Sequence, residues 1–307
     1  MSLTLSAVSK LTEDQARATF ERIRWPNGPV CPHCGSVEAT KLEGKAHRAG
    51  LYKCKGCAEQ FTATVNTIME DSHLPIRTWL MAFAVLCSAK KGISALQLQR
   101  QLELGSYRTA WHLCHRIRHA MSKEPLAGLL KGTVEVDETY VGGKPRPEHG
   151  KPKSKRGRGT KKVPVVALVE RGGKVRAHKI ERVNAETLKG AIRENVDRSS
   201  TIMTDEWKAY RGIGKEFDGG HQRVIHSKGE YVRDDAHVNT SESYFALLKR
   251  GIVGSFHHVS KQHLDRYCDE FSFRWNHRQA SDSDRTAAAI KGVEGKRLSY
   301  RQPITDR

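Results

Sequence analysis

No stretch of this 307-residue chain approaches the run of about 18 apolar residues needed to cross a bilayer. The first thirty residues carry Glu13, Asp14 and Glu21 and no long apolar run, so no secretory leader is expected. Both absences point to a reducing cytoplasm. There, seven cysteines argue for metal ligands or free thiols over disulfides. Acidic residues are also scarce: 34 Asp and Glu stand against 53 Lys and Arg, a net charge of +19. A surplus of that size fits a polyanionic partner, most often nucleic acid; a merely soluble basic protein or an acidic lipid surface is the blander reading. No internal repeat is visible.

Four of the cysteines are spaced as a site. Cys31 and Cys34 form one C-x2-C pair, Cys54 and Cys57 a second, with 19 residues between Cys34 and Cys54. Two such turns present four thiolates tetrahedrally, as Zn²⁺ requires. Gly35 and Gly56 permit the tight turns that aim backbone N–H groups at sulfur. A segment this small has little apolar surface, so metal binding would supply folding free energy. A closed four-sulfur shell leaves no place for substrate, which makes this zinc structural. His33 and His47 lie nearby and are not needed. Cys87, Cys114 and Cys268 fall on apolar helical faces and read as packing residues.

Helical signals flank this segment. "LTEDQARATFER" at 11–22 reads as a helix capped by Thr12, with acids in its first turn. Within 76–121, an apolar helix carrying Trp79, Phe83 and Leu86 precedes a shorter one, "ISALQLQRQLEL". After "GS" comes a third, "YRTAWHLCHRIRHAM", which Ser106 is placed to cap. Helix, tight turn and basic helix is the pattern of a helix-turn-helix. On the last helix Trp111, Cys114, Ile117 and Met121 form an inward stripe. Arg108, His112, His115, Arg116, Arg118 and His119 take the other faces. Tyr107, Arg108 and Thr109 could reach base edges, with His112 and Arg116 contributing to the DNA face and the later arginines meeting phosphates. An ordinary helical bundle with a solvated basic face is the alternative.

From 133 onward strands appear, at 133–141, 163–170 and 174–181. A helix at 184–196, a strand near 200–207, a short "QRVIHS" segment and helices at 240–250 and 260–276 follow. That order predicts a mixed sheet flanked by helices, an α/β layered domain. The expected divisions are an N-terminal helix and zinc ribbon at 1–72, the helix-turn-helix at 73–125, the α/β domain at 126–289 and a tail at 290–307. A basic insertion at 142–162, including Lys153, Lys155, Arg156 and Arg158, is suited to following a DNA backbone.

Carboxylates stand out against this basic background. In "VEVDETYVGGK", strand alternation puts Glu135, Asp137 and Thr139 on one face, opposite Val134, Val136 and Glu138. Asp205 ends a second strand. Glu242 lies on the helix opened by "HVNTSESYFALLKR", with Lys249 two turns further on the same face. Singly, Asp137 could be a strand-end residue, Asp205 a turn former and Glu242 a first-turn acid favoured by the helix dipole. Together they could hold two Mg²⁺ or Mn²⁺ ions roughly 4 Å apart for in-line phosphodiester displacement. Asn239 is the nearest rival for the third ligand; Asp234 and Asp235 are weaker ones.

The ribbon "CPHCG…YKCKGC", then "VEVDETYVGGK", "TDEWKAY" and "HVNTSESYFALLKRGIVGSFHHVSKQHLDRYCDEFSFRWNHR" resemble, in order and over nearly the whole chain, insertion-sequence transposases of the IS1595 type, ISXO2-like group, akin to Merlin elements. The resemblance implies an RNase H-like catalytic domain with a DDE-type triad, matching Asp137, Asp205 and Glu242, and a following lysine, matching Lys249. Some members carry Asn in place of the last acid. It further implies metal-dependent cleavage at element ends and attack of the freed 3′-hydroxyl on target DNA. Terminal inverted repeats would be recognised by the ribbon and helix-turn-helix, with a homodimer or larger assembly on double-stranded DNA at the bacterial nucleoid. Two other readings stand beside it: a metal-dependent nuclease without strand transfer, and a zinc-ribbon DNA-binding regulator with an inactive catalytic fold.

Overall fold

A computed structural model of the chain describes residues 2–122, 128–143, 162–225 and 237–300. The chain divides into two units. One comprises residues 1–122 and 279–307, the other residues 123–278.

In the first unit, a short helix α1 (Leu5–Ser9) precedes α2 (Glu13–Arg24). Thr12 caps α2 as expected: its hydroxyl accepts from the Gln15 N–H, and the Gln15 side chain accepts from the Thr12 N–H. Three short antiparallel strands follow in the order β1 (Ala39–Leu42), β2 (Leu51–Cys54) and β3 (Gln60–Phe61). Buried side chains about this sheet include Leu51 and a knot of rings. Trp25 meets Tyr52 and Phe61 edge-on at 5.6 and 5.8 Å, and Tyr52 stacks on Phe61. Then come α3 (Ile76–Ser88), α4 (Ala95–Gln101) and α5 (Tyr107–Ala120). Ser106 caps α5 through the Thr109 N–H, and Glu103 takes the left-handed conformation that closes the turn between α4 and α5.

A ninth helix, α9 (Asp282–Lys291), belongs to this unit and not to the sheet domain in which residues 279–289 were expected. It packs on α2, α3 and α5. Thr286, Ala289, Ile290 and Val293 are buried, the Leu3 N–H donates to Ser283 Oγ, and Arg24 pairs with Glu294. With only Thr286, Ala289 and Ile290 buried along the helix, the segment gave no periodic signal of large apolar side chains.

The second unit is a five-stranded sheet in the order β6-β5-β4-β7-β8. Its strands are β4 (Thr133–Val141), β5 (Val163–Glu170), β6 (Val175–Lys179), β7 (Thr201–Thr204) and β8 (His221–Arg223). The first three form an antiparallel meander, while β7 runs parallel to β4 and β8 parallel to β7. This is the RNase H-like arrangement. Helices α6 (Ala185–Asn195), α7 (Asn239–Gly251) and α8 (Leu264–Asn276) cover it. One face, with Val134, Val136, Val166, Leu168 and Ile202, packs on α6. The other, with Val141, Val165, Ala167 and Val169, packs on α7 and α8. Burial on both faces explains why β5 reads as an unbroken apolar run.

Candidate active site and zinc centre

The four ribbon cysteines converge. Their sulfurs all lie within 4.8 Å of one another, with Cys31–Cys57 at 3.7 Å and Cys34–Cys54 at 3.6 Å. Four sulfurs bound tetrahedrally at about 2.3 Å from a zinc ion stand roughly 3.8 Å apart, so the tetrad fits that ion. The backbone N–H groups of Cys57 and Gly56 point at the Cys54 sulfur, Gly56 at 3.3 Å, and hold that thiol down, whereas burial and the neighbouring thiols push Cys57 up. The two N–H groups favour the thiolate that a metal needs at Cys54. Among the described residues, no other set of three or more metal-ligating side chains is gathered so tightly. Cys87, Cys114 and Cys268 are buried thiols, in keeping with packing roles.

Of the DNA-facing residues expected on α5, Tyr107 and Arg108 are exposed, and Thr109 and His112 are half-buried. Tyr300 lies against this end of the helix, with the Arg108 guanidinium 5.4 Å over its ring and the His112 ring 5.4 Å away. Arg116 does not face outward as expected. It is 7% exposed, donates to the Glu70 carbonyl and sits over the Trp79 ring, and burial lowers its pKa to about 10. His115 and Arg118 are buried as well. Arginine reaches inward here because its planar cation can stack on an indole and donate to a carbonyl at once. Helical periodicity alone marks such a residue as surface. Lys153, Lys155, Arg156, Arg158, Asp234 and Asp235 lie outside the described residues.

The three acids come from three elements of the sheet unit. Asp137 is on β4. Val136 pairs with Thr204 in parallel register, so Asp137 and Asp205 each directly follow a paired residue of adjacent strands. The strand expected to run through 207 stops at Thr204, because Asp205 turns the chain: its Oδ1 accepts from the Trp207 N–H at 3.0 Å. The Asp137 Oδ1 accepts from the Glu138 N–H at 2.8 Å. Glu242 is exposed near the start of α7, on the helix face shared with Asn239 one turn before it and Lys249 two turns after it.

Electrostatics links these side chains. Burial first, and then the charge of Glu138, push the Asp137 carboxyl up to about 7, against the pull of the Glu138 N–H. Asp205 and Glu242 add to the rise, so their fields meet at Asp137. Glu138 points to the other side of the strand, where the Tyr210 hydroxyl donates to it at 2.8 Å. Burial and this carboxylate hold the tyrosine proton in place, well above the usual phenol range. Neither Tyr210 nor the bonding of Glu138 had a sequence signal, since the two are 72 positions apart.

A ribbon of paired cysteines in one unit and an RNase H-like sheet in the other are the two parts of an insertion-sequence transposase. Residues 129–276 match the ISXO2-like transposase domain, and residues 11–60 match the transposase zinc-ribbon domain. Over 274 residues the chain is 30% identical to an uncharacterized protein in transposable element ISH50 of Halobacterium salinarum, covering 86% of this chain and 91% of that one. The chain therefore belongs to the IS1595-type, ISXO2-like transposase family. Similar solved structures include the Mos1 strand transfer complex, at 15% identity and TM-score 0.23 over 66% of this chain and 77% of that one. A pre-cleavage Mos1 transpososome is similar at 13% identity and TM-score 0.26, over 96% and 98%. Among the described residues no helix is long and apolar enough to cross a membrane.

Proposed function

We propose that this transposase binds the inverted-repeat ends of its element in the cytoplasm, cleaves them in a divalent-ion-dependent reaction and joins them to target DNA. The observation that carries this reading is the parallel register of β4 with β7, in which Val136 pairs with Thr204 and the next residues are Asp137 and Asp205. The charges of Asp205 and Glu242 both act on Asp137, adding to the rise that burial and Glu138 cause. Three carboxylates with interacting fields, in a chain of net charge +19, call for a cation. Oxygen ligands suit Mg²⁺ or Mn²⁺. When bound, such ions activate the attacking oxygen and stabilise the leaving one.

The residues divide the remaining work. Asp137, Asp205 and Glu242 would hold the ions, with Asn239 one turn from Glu242 as an accessory oxygen. Lys249 would contact a phosphate beside the scissile bond, orienting it in line. In the first step water attacks phosphorus and the bond to the 3′ oxygen breaks, leaving a 3′-hydroxyl. In the second, that hydroxyl attacks a target phosphodiester and displaces the target's own 3′ oxygen. Tyr107, Arg108, Thr109 and His112 would meet the duplex, and the basic segment 142–162 would follow its backbone. Both element ends must be held together, so the active species is a dimer or larger assembly.

Incubating the full chain with labelled element-end DNA, a plasmid and Mg²⁺ tests this reading. Joined product is expected from the wild type, and none from Asp137→Asn, Asp205→Asn or Glu242→Gln. Cut but unjoined DNA would replace the proposal with a nuclease. Bound, uncut DNA would replace it with a regulator.

A further inference from the structure

The same strand carries a second carboxylate that the reaction does not use. Glu135 is two residues before Asp137, on the same face of β4, and is fully buried. A charge buried to this degree must be heavily bonded, and it is. Its Oε2 accepts from the backbone N–H of Thr240 at 2.8 Å and of Ser241 at 3.1 Å. Its Oε1 accepts from the Thr240 hydroxyl at 2.8 Å and from Arg171 Nε at 2.7 Å. The His237 ring nitrogen Nδ1 stands 3.1 Å from the same oxygen.

Three of these donors, the Thr240 N–H and hydroxyl and the Ser241 N–H, belong to the opening turn of α7. The residue at the usual capping position, Val238, has no side chain able to accept a hydrogen bond, and none is made there. A carboxylate from the sheet takes over that task, satisfying orphan N–H groups at the positive end of the helix. Arg171 completes the clamp. Its backbone N–H donates to the Thr133 carbonyl of β4, and its Nη2 donates to the carbonyl of His237, two residues before α7. The next residue after Ser241 is Glu242. The helix turn that bears Glu242 is therefore bolted to the strand that bears Asp137, through a side chain two positions from Asp137.

We propose that Glu135 is a positioning residue for the metal site: its carboxylate fixes the first turn of α7 against β4 and so sets where Glu242 stands relative to Asp137. This rests on the reading of Asp137 and Glu242 as ion ligands. The capping explains why "VEVDE" holds three acids in four positions. Glu135 locks the helix, Asp137 faces the ions, and Glu138 turns to Tyr210.

Mn²⁺ binding to the full-length, zinc-loaded protein, followed by the EPR signal of free Mn²⁺, tests the assignment without relying on activity. Glu135→Asp keeps the charge but withdraws the carboxylate by one carbon–carbon bond, about 1.5 Å. A mere field effect of Glu135 would leave its Mn²⁺ affinity as in the wild type. The positioning role predicts a dissociation constant raised tenfold or more in a variant that still melts cooperatively well above the assay temperature. Asp137→Asn, measured alongside, should lose the site. Wild-type affinity in folded Glu135→Asp, with the site lost in Asp137→Asn, overturns the positioning role alone. Unchanged binding in Asp137→Asn overturns the ion-site reading and this inference with it. Should Glu135→Asp fail to fold, Thr240→Ala decides: it removes one donor to Glu135 Oε1 and should weaken Mn²⁺ about threefold, and unaltered affinity there overturns the proposal.

Discussion

Replacing Asp137 with Asn should stabilise the ion-free protein at neutral pH while abolishing its reaction. The Asp137 carboxyl is raised from an ordinary 3.8 to about 7, by burial above all and then by Glu138, Asp205 and Glu242. Between those limits the native state keeps a proton that the unfolded chain gives up. The contribution of this side chain is thus intact below about pH 4 and is lost as pH rises through about 7. At roughly 1.4 kcal/mol per pH unit, a gap of about three units sets a ceiling near 4 kcal/mol, and solvent access and relaxation reduce it to about 2–4 kcal/mol. Asn carries no proton to lose. In buffer without added divalent ions, the melting temperature of the wild type should fall between pH 5 and 8 relative to Asp137→Asn. The gap should reach roughly 5–15 °C, at the usual 2–4 °C per kcal/mol for a domain of this size. Millimolar Mg²⁺ should close it by stabilising the wild type only, releasing the proton as it binds. Differential scanning fluorimetry across that pH range, with and without Mg²⁺, gives the answer. Parallel pH curves for the two proteins, or equal Mg²⁺ stabilisation of both, would refute the reasoning.

Other outcomes follow from the same geometry. Removing zinc with a chelator should leave four thiols, Cys31, Cys34, Cys54 and Cys57, rapidly reactive toward a disulfide reagent and collapse the ribbon; the buried Cys87, Cys114 and Cys268 should stay protected, which thiol titration will show. Arg108→Ala should lower the slope of log affinity against log salt for element-end DNA by about one. Arg116→Ala should leave that slope unchanged and instead destabilise the first unit by about 1–3 kcal/mol, read by chemical denaturation. Gly251→Ala should destabilise the sheet unit by about 1–3 kcal/mol or more, because an added Cβ collides with the buried Phe271 ring. Lys249→Ala should reduce joining about 100-fold while weakening DNA binding only slightly, in a quantitative strand-transfer assay.

What the sequence determined by itself is local or carried by spacing. The cysteine pairs specify a tetrahedral sulfur site because four thiolates at that spacing have few other uses. Thr12 and Ser106 mark their helices because a cap acts on N–H groups only three residues away. β4 and β5 form at 133–141 and 163–170, as their apolar runs predict. Only the tertiary structure decided what depends on distant pairings. The parallel register of β4 with β7 sets Asp137 and Asp205 each directly after a paired residue of adjacent strands. The return of α9 to the first unit rests on Thr286, Ala289 and Ile290, too few large apolar side chains to make a pattern, and the inward turn of Arg116 rests on Trp79 and on a Glu70 carbonyl 46 positions away. Glu135 shows the limit most clearly. Alternation puts it on the Asp137 face, but what it bonds is a helix 105 residues further along, and nothing local in a chain encodes which distant N–H groups will need an acceptor.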